Sequence, residues 1–117
     1  MKNRRFHHRM GFAVAGIASA VQTENSFRAQ VLAAIAAGAV LVWLRPAPVW
    51  WAIVALTIAV VLAAELLNTA IERLADHLHP ELHPGIKSVK DCAAAAVFIA
   101  SLGALGVALA LVLDVLS

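Results

Sequence analysis

The chain has no tyrosine, a single cysteine and few charges, and each shortage excludes a class of protein. Lacking tyrosine and holding only four phenylalanines, it offers few of the stacking aromatics that a nucleic-acid groove interleaves with basic residues, which disfavours that class. A lone Cys92 rules out an internal disulfide framework and any cysteine-rich metal site. No Gly-x-x-x-x-Gly-Lys loop occurs, so nucleotide phosphates would have to be held without a Walker-type cradle. Charged residues make up only 14% of the 117 positions and apolar ones 62%. Soluble domains hold about 25% and about 45–50%. A soluble domain this small has too much surface for its volume to hide so much apolar side chain. The bilayer must be the solvent, in keeping with a mean hydropathy of +0.86.

Three apolar stretches are present: Val31–Leu44, Val49–Leu67 and Cys92–Leu113, the last without any charge. A spanning helix needs roughly 20 apolar residues. The third stretch qualifies alone, the second if Glu65 is sheltered within a bundle, and the first if it begins near Phe27. Trp43, Trp50 and Trp51 flank Pro46 and Pro48, as an interfacial aromatic belt around a tight turn would. The expected architecture is an all-α membrane protein. It comprises an interfacial amphipathic helix over residues 1–26 and membrane helices over 27–45, 49–72 and 91–114, in a single domain spanning 1–117. Ala93–Ala96, Gly103 and Gly106 suit close helix–helix contact.

Basic residues set the orientation. Lys2, Arg4, Arg5, Arg9 and Arg28 precede the first span, and Arg73, Lys87 and Lys90 lie between the second and third. Only Arg45 falls on the other side, so the N-terminus and the long second loop are expected in the cytoplasm. The N-terminus has a rival reading as a secretory signal, with Ala18-Ser19-Ala20 as its cleavage site. Against it, the apolar part is short, contains Gly11 and Gly16, and runs through polar residues into another span. A helix lying on the cytoplasmic interface is preferred.

The most informative stretch is Glu65-Leu-Leu-Asn68-Thr69-Ala-Ile-Glu72-Arg73-Leu-Ala-Asp76. Spacings of three, four and four place Glu65, Asn68, Glu72 and Asp76 on one stripe of a helix. Asp76 and Arg73 can be read as the polar end of an amphipathic helix. Glu65 cannot, because an ionisable group within a span is costly and marks function. Carboxylates and a carboxamide in line also suit a hard cation, since Mg²⁺ is usually held by one or two carboxylates plus substrate phosphates. Lys87, Lys90 and Asp91 precede the third span, and Lys90 can meet a phosphate as a point charge. Glu24 precedes the first span, and Arg28 four residues on makes a helical ion pair there the plain expectation, worth about 0.3–0.5 kcal/mol. His77, His79 and His83 surround Pro80 on an irregular loop, and a solvated loop or nucleotide contact is favoured over zinc. Three helices are expected to shelter several charges only through oligomerisation.

Ala64-Glu65-Leu66-Leu67-Asn68-Thr69-Ala70-Ile71-Glu72, then Asp76, then Lys90-Asp91 before an Ala-rich span, closely resembles the prokaryotic diacylglycerol kinase family. Those proteins are small membrane lipid kinases and include undecaprenol kinases. Glu24 with Phe27-Arg28 is similar to the family's acidic motif before the first span, and Arg5 with Gly11-Phe12 to its surface helix. The resemblance implies transfer of the ATP γ-phosphate to a lipid alcohol, with Mg²⁺ as cofactor. It implies Glu65 as general base, Asn68 as the residue orienting base and phosphate, and Glu24 and Glu72 as metal ligands. Arg5, Phe12, Glu24, Glu72, Glu81, Leu82, His83, Lys90 and Asp91 would contact ATP, and Arg5, Glu65 and Ala94 the lipid. It further implies a homotrimer with shared sites in the bacterial inner membrane. Gln30 stands where some members carry another carboxylate, and Ala13 replaces a polar residue found in some.

Diacylglycerol is the favoured acceptor and undecaprenol the alternative. A small ion-coupled transporter is a distant alternative; it predicts a carboxylate near the midplane, whereas Glu65 stands at the end of its span. A non-enzymatic assembly factor leaves Glu65, Asn68 and Glu72 unexplained. No nucleic-acid partner is expected.

Overall fold

The structure is a computed structural model that describes residues 5–117. Lys2 and Arg4, two of the cations used for orientation, lie outside the described residues. The described chain is all-helical: α1 (Phe6–Thr23), α2 (Asn25–Leu44), α3 (Pro48–Leu78) and α4 (Pro84–Leu116). The last three are each long and apolar enough to cross a membrane.

The spans run further than the apolar stretches alone indicated. At 1.5 Å per residue the 31 residues of α3 extend about 46 Å and the 33 of α4 about 50 Å, against a hydrocarbon core of about 30 Å. The excess lies at the Glu65 end. There α3 continues past residue 72 through Asp76 to Leu78, and α4 begins at Pro84 rather than 91. Backbone hydrogen bonding need not stop where hydrophobicity does, because a polar helix can project into water. His77 consequently sits in the last turn of α3 rather than on the loop, which is reduced to residues 79–83.

Proline and local capping define the turns. Arg45 closes α2 in the left-handed region (φ 48°), its N–H bonded to the Leu41 carbonyl at 2.8 Å, and it is the one non-glycine residue described there. Pro48 then starts α3 at a position where its missing N–H costs nothing. Pro84 does the same for α4, while His83 Nδ1 accepts the Gly85 N–H at 2.9 Å. Gly85 permits this cap, because a Cβ there would lie 3.1 Å from the imidazole.

Leu41, Val54 and Leu111 form a buried cluster joining α2, α3 and α4, with Ala37, Trp50, Ile58 and Val107 packed around it. Trp50 Nε1 also donates to Asp114 Oδ2 at 2.9 Å, tying the start of α3 to the end of α4. An apolar groove of about 380 Å³ runs along this part of the bundle, lined by the same cluster. At the opposite end the buried residues of α3 include Glu65 and Thr69.

Candidate active site

Glu65 is 3% exposed within the single chain. It is sheltered within the bundle, as a spanning helix that carries a carboxylate requires, because α2 covers it. The cover is polar: Ser26 Oγ donates to Oε2 at 3.2 Å and Gln30 Nε2 to Oε1 at 3.4 Å. Ser26 and Gln30 are four apart, so one face of α2 supplies both donors. Sequence reasoning missed these two as partners of Glu65. Their spacing after Glu24 is visible, but which helix faces Glu65 is a tertiary fact.

Asn68, placed beside Glu65 on the stripe, is not its hydrogen-bond partner among the described residues. It turns toward α4 and lines a cleft of about 450 Å³ with Leu67, Ile71, Ser88, Cys92 and Ala93. Its Oδ1 is buried without a hydrogen-bond partner among the described residues. An orphaned buried carbonyl is costly, and it invites a donor or a cation. The stripe is thus broader than it looked. Glu65 faces α2, while Asn68, one turn on, faces the α3–α4 cleft.

Glu24 is the hinge between α1 and α2, extended at φ −114° and ψ 111°. The Glu24–Arg28 ion pair read from spacing is not formed. Arg28 instead donates to the Val21 carbonyl at 2.7 Å and to Asn25 Oδ1, capping the free end of α1. The cation near Glu24 comes from α3: Arg73 Nη2 lies 3.7 Å from Glu24 Oε2. Arg73 also donates to Thr23 Oγ1 at 2.6 Å and to Ser19 Oγ at 3.2 Å. The last turn of α1 is fastened to α3 by these bonds, which brings Glu24 to the helix carrying Glu72. Glu72 itself is half-buried and free of ion pairs among the described residues.

Lys90 pairs with Asp76 across α3 and α4 in a largely exposed contact. Asp91 pairs with Lys87 at 2.6 Å, one turn back on α4. That bond and charge hold the exposed Lys87 ammonium above its usual 10.5. On the loop, His79 lies 3.1 Å from Glu81, and Leu82 is fully exposed beside the His83 cap. Ala94 is exposed on α4, and Arg5 and Phe12 are exposed at and along α1. No hydrogen bond or ion pair among the described residues joins Arg5 or Phe12 to the 79–83 loop.

Among the described residues no three His, Cys, Asp or Glu side chains converge on a metal-sized site. The available donors are all oxygen: two carboxylates, Glu24 and Glu72, and the unpartnered Asn68 Oδ1. By donor type, Glu24 and Glu72 are the hard oxygens that a divalent cation takes beside polyphosphate oxygens, while Asn68 lines the separate α3–α4 cleft.

A family model described as prokaryotic diacylglycerol kinase matches residues 11–112. The chain belongs to that family. Its diacylglycerol kinase relatives include a Synechocystis protein, 35% identical over 94 residues, which cover 80% of this chain and 54% of that one. A second, from Pseudomonas aeruginosa, is 33% identical over 97 residues, covering 83% and 79%. An undecaprenol kinase of Bacillus subtilis is 35% identical over 95 residues, covering 81% and 77%. The chain thus spans about half the length of the Synechocystis protein but more than three quarters of the other two. As a prokaryotic diacylglycerol kinase family member it departs from the sequence expectation mainly in who touches whom, since Glu65, Asn68 and Glu72 share one helix as read.

Proposed function

We propose that the protein is an ATP-dependent lipid kinase of the bacterial inner membrane whose acceptor is diacylglycerol, giving phosphatidic acid. The observation carrying this reading is Glu65. It is a carboxylate buried at the end of a membrane-length helix, with one protein donor on each oxygen, in a chain of this family. A carboxylate so placed can accept a proton from a lipid hydroxyl arriving in the bilayer plane.

In the proposed reaction Glu65 takes the hydroxyl proton as the lipid oxygen bonds to the γ-phosphorus of ATP. The bond from that phosphorus to the β–γ bridging oxygen breaks, and ADP leaves. Phosphoryl transfer needs positioning and charge neutralisation rather than covalent help. Glu24 and Glu72 would hold Mg²⁺, which when bound neutralises phosphate charge. Asn68, one turn from Glu65 on α3, would orient the reacting groups by turning its unpartnered carbonyl to them. Lys90 and Asp91 would contact the nucleotide once Lys90 exchanges Asp76 for phosphate. Arg5, Phe12 and residues 81–83 would complete the pocket around ATP, and Arg5 and Ala94 would flank the lipid. The N-terminus and this site face the cytoplasm, as the basic residues ahead of α2 and between α3 and α4 favour.

The chain would act as a homotrimer with shared sites. Besides the family resemblance, Gly38, Gly103 and Gly106 support this, since among the described residues nothing beyond their own helix backbone and chain neighbours lies within 4 Å of where a Cβ would stand. They leave small-residue strips on the outer faces of α2 and α4, where a neighbouring helix can approach closely. The Bacillus subtilis relative, as similar as the Synechocystis one, keeps undecaprenol as the second reading of the acceptor.

The test is Mg²⁺-dependent transfer of labelled phosphate from ATP to diacylglycerol or undecaprenol in mixed micelles. Glu65→Gln should abolish transfer while leaving assembly intact. Phosphorylation of neither lipid refutes the kinase reading, and near-normal turnover by Glu65→Gln refutes the assignment of the base.

A further inference from the structure

We infer that Ser26 and Gln30 are positioning residues for phosphoryl transfer, a two-point clamp from α2 that holds the Glu65 carboxylate at a fixed tilt. The inference rests on Glu65 acting as the base. It goes beyond that reading by assigning a role to two residues outside the Glu65–Asp76 stretch.

A glutamate side chain has three rotatable bonds, and α3 alone does nothing to select among its rotamers. A base must sit within hydrogen-bond reach of one hydroxyl, and an error of about 1 Å can cost about a hundredfold in rate. At 3% exposure, bulk water is not available to organise the carboxylate. Its protein partners are the Ser26 hydroxyl on Oε2 at 3.2 Å and the Gln30 amide on Oε1 at 3.4 Å.

Three features make this pair a clamp rather than a chance contact. Each oxygen has its own donor, so rotation about the last side-chain bond is opposed from both sides. Both donors lie on one face of α2, a turn apart, so they move as a unit. Each oxygen accepts only one of these bonds, so each keeps a lone pair for an incoming hydroxyl. Gln30 also borders the apolar groove that runs between α2, α3 and α4, next to Ala34, Val61 and Leu62. Its amide therefore marks the boundary between the polar site and the lipid-like interior.

The experiment compares Ser26→Ala, Ser26→Thr, Gln30→Met and the Ser26→Ala/Gln30→Met double variant in the full chain, with Glu65→Gln alongside. Turnover and KM for Mg-ATP and for the lipid acceptor are measured in mixed micelles, and assembly by gel filtration. Loss of either donor should lower kcat about tenfold, the size of one hydrogen bond to a charged group. Both KM values should stay within about twofold, the signature of an interaction that serves the transition state. The double variant should fall below either single variant but by less than the product of the two losses, because both donors serve one carboxylate, and Ser26→Thr, which keeps the hydroxyl, should recover most of the kcat lost in Ser26→Ala.

An unchanged kcat overturns the clamp. So does a loss carried by KM, or a Ser26→Thr no better than Ser26→Ala. If Gln30→Met fails to assemble, the two Ser26 variants decide alone, since Ser26 is small and exposed. Turnover by Glu65→Gln removes the base assignment itself. An inactive Glu65→Gln beside unimpaired Ser26 and Gln30 variants removes only the clamp.

Discussion

Replacing Arg73 with methionine removes the guanidinium but keeps most of the apolar stem, so the change isolates the bonds that tie α1 to α3. Arg73 gives up the 2.6 Å bond to Thr23 Oγ1, the 3.2 Å bond to Ser19 Oγ and the 3.7 Å approach to Glu24. Buried, a charged hydrogen bond contributes about 1.5–3 kcal/mol. The Arg73 side chain is 50% exposed, however, so water replaces much of what is lost. The discounted figure is about 1 kcal/mol, the upper end for an exposed ion pair. That corresponds to a factor of about five in the equilibrium for opening the last turn of α1. Hydrogen–deuterium exchange in detergent, read by mass spectrometry, should show peptides around 19–24 exchanging about fivefold faster, with α4 unaffected. Because Glu24 is the hinge that this tie holds, the Mg²⁺ concentration for half-maximal activity should rise as well. Unchanged exchange near 19–24 refutes the tie. A lowered Mg²⁺ requirement refutes the link to Glu24, because Arg73 would then be competing with the cation instead of placing the carboxylate.

Two further outcomes are expected. Asp76→Asn releases Lys90 from its carboxylate and should tighten Mg-ATP binding by up to about fivefold, the limit for a partly exposed pair; weaker binding in a direct titration contradicts a nucleotide role for Lys90. Phe27 is the one fully buried large side chain among the described residues, and Phe27→Ala should destabilise the protein by about 3–5 kcal/mol. Thermal unfolding in detergent should then separate it clearly from Phe98→Ala at a 64% exposed position, and equal shifts would show that Phe27 is not the packing anchor.

Much of the fold is legible from composition because a bilayer leaves few options. Apolar runs of spanning length must be helices there, since every backbone polar group has to be satisfied within its own segment. Pro46, Pro48, Pro80 and Pro84 punctuate those helices for steric reasons that need no tertiary context. The ends were less legible. The extra turns from Glu72 to Leu78 and from Pro84 to Lys90 are polar, and hydropathy has no signal for a helix that continues into water.

The carboxylate row was legible for a different reason. The helical period places Glu65, Asn68 and Glu72 along one side of α3 whatever surrounds them. Their partners were not legible, because spacing describes only neighbours on the same helix. Arg28, four residues after Glu24, turns to cap α1, while Arg73, 49 positions away in the chain, reaches Glu24 instead. Lys90 meets Asp76 and Lys87 meets Asp91, a pairing that local charge pattern leaves open.

The sequence by itself therefore determined that the chain is a bundle of membrane-length helices and that Glu65, Asn68 and Glu72 share α3 at helical spacing. Those properties follow from burying apolar side chain in lipid and from the fixed pitch of a helix. Only the tertiary structure decided that α2 shelters Glu65 and supplies its two donors, that Asn68 turns to the α3–α4 cleft, and that Arg73 fastens the Glu24 hinge. Each of those depends on how helices rotate and approach one another, and that is set by packing between segments rather than by pattern within any one of them.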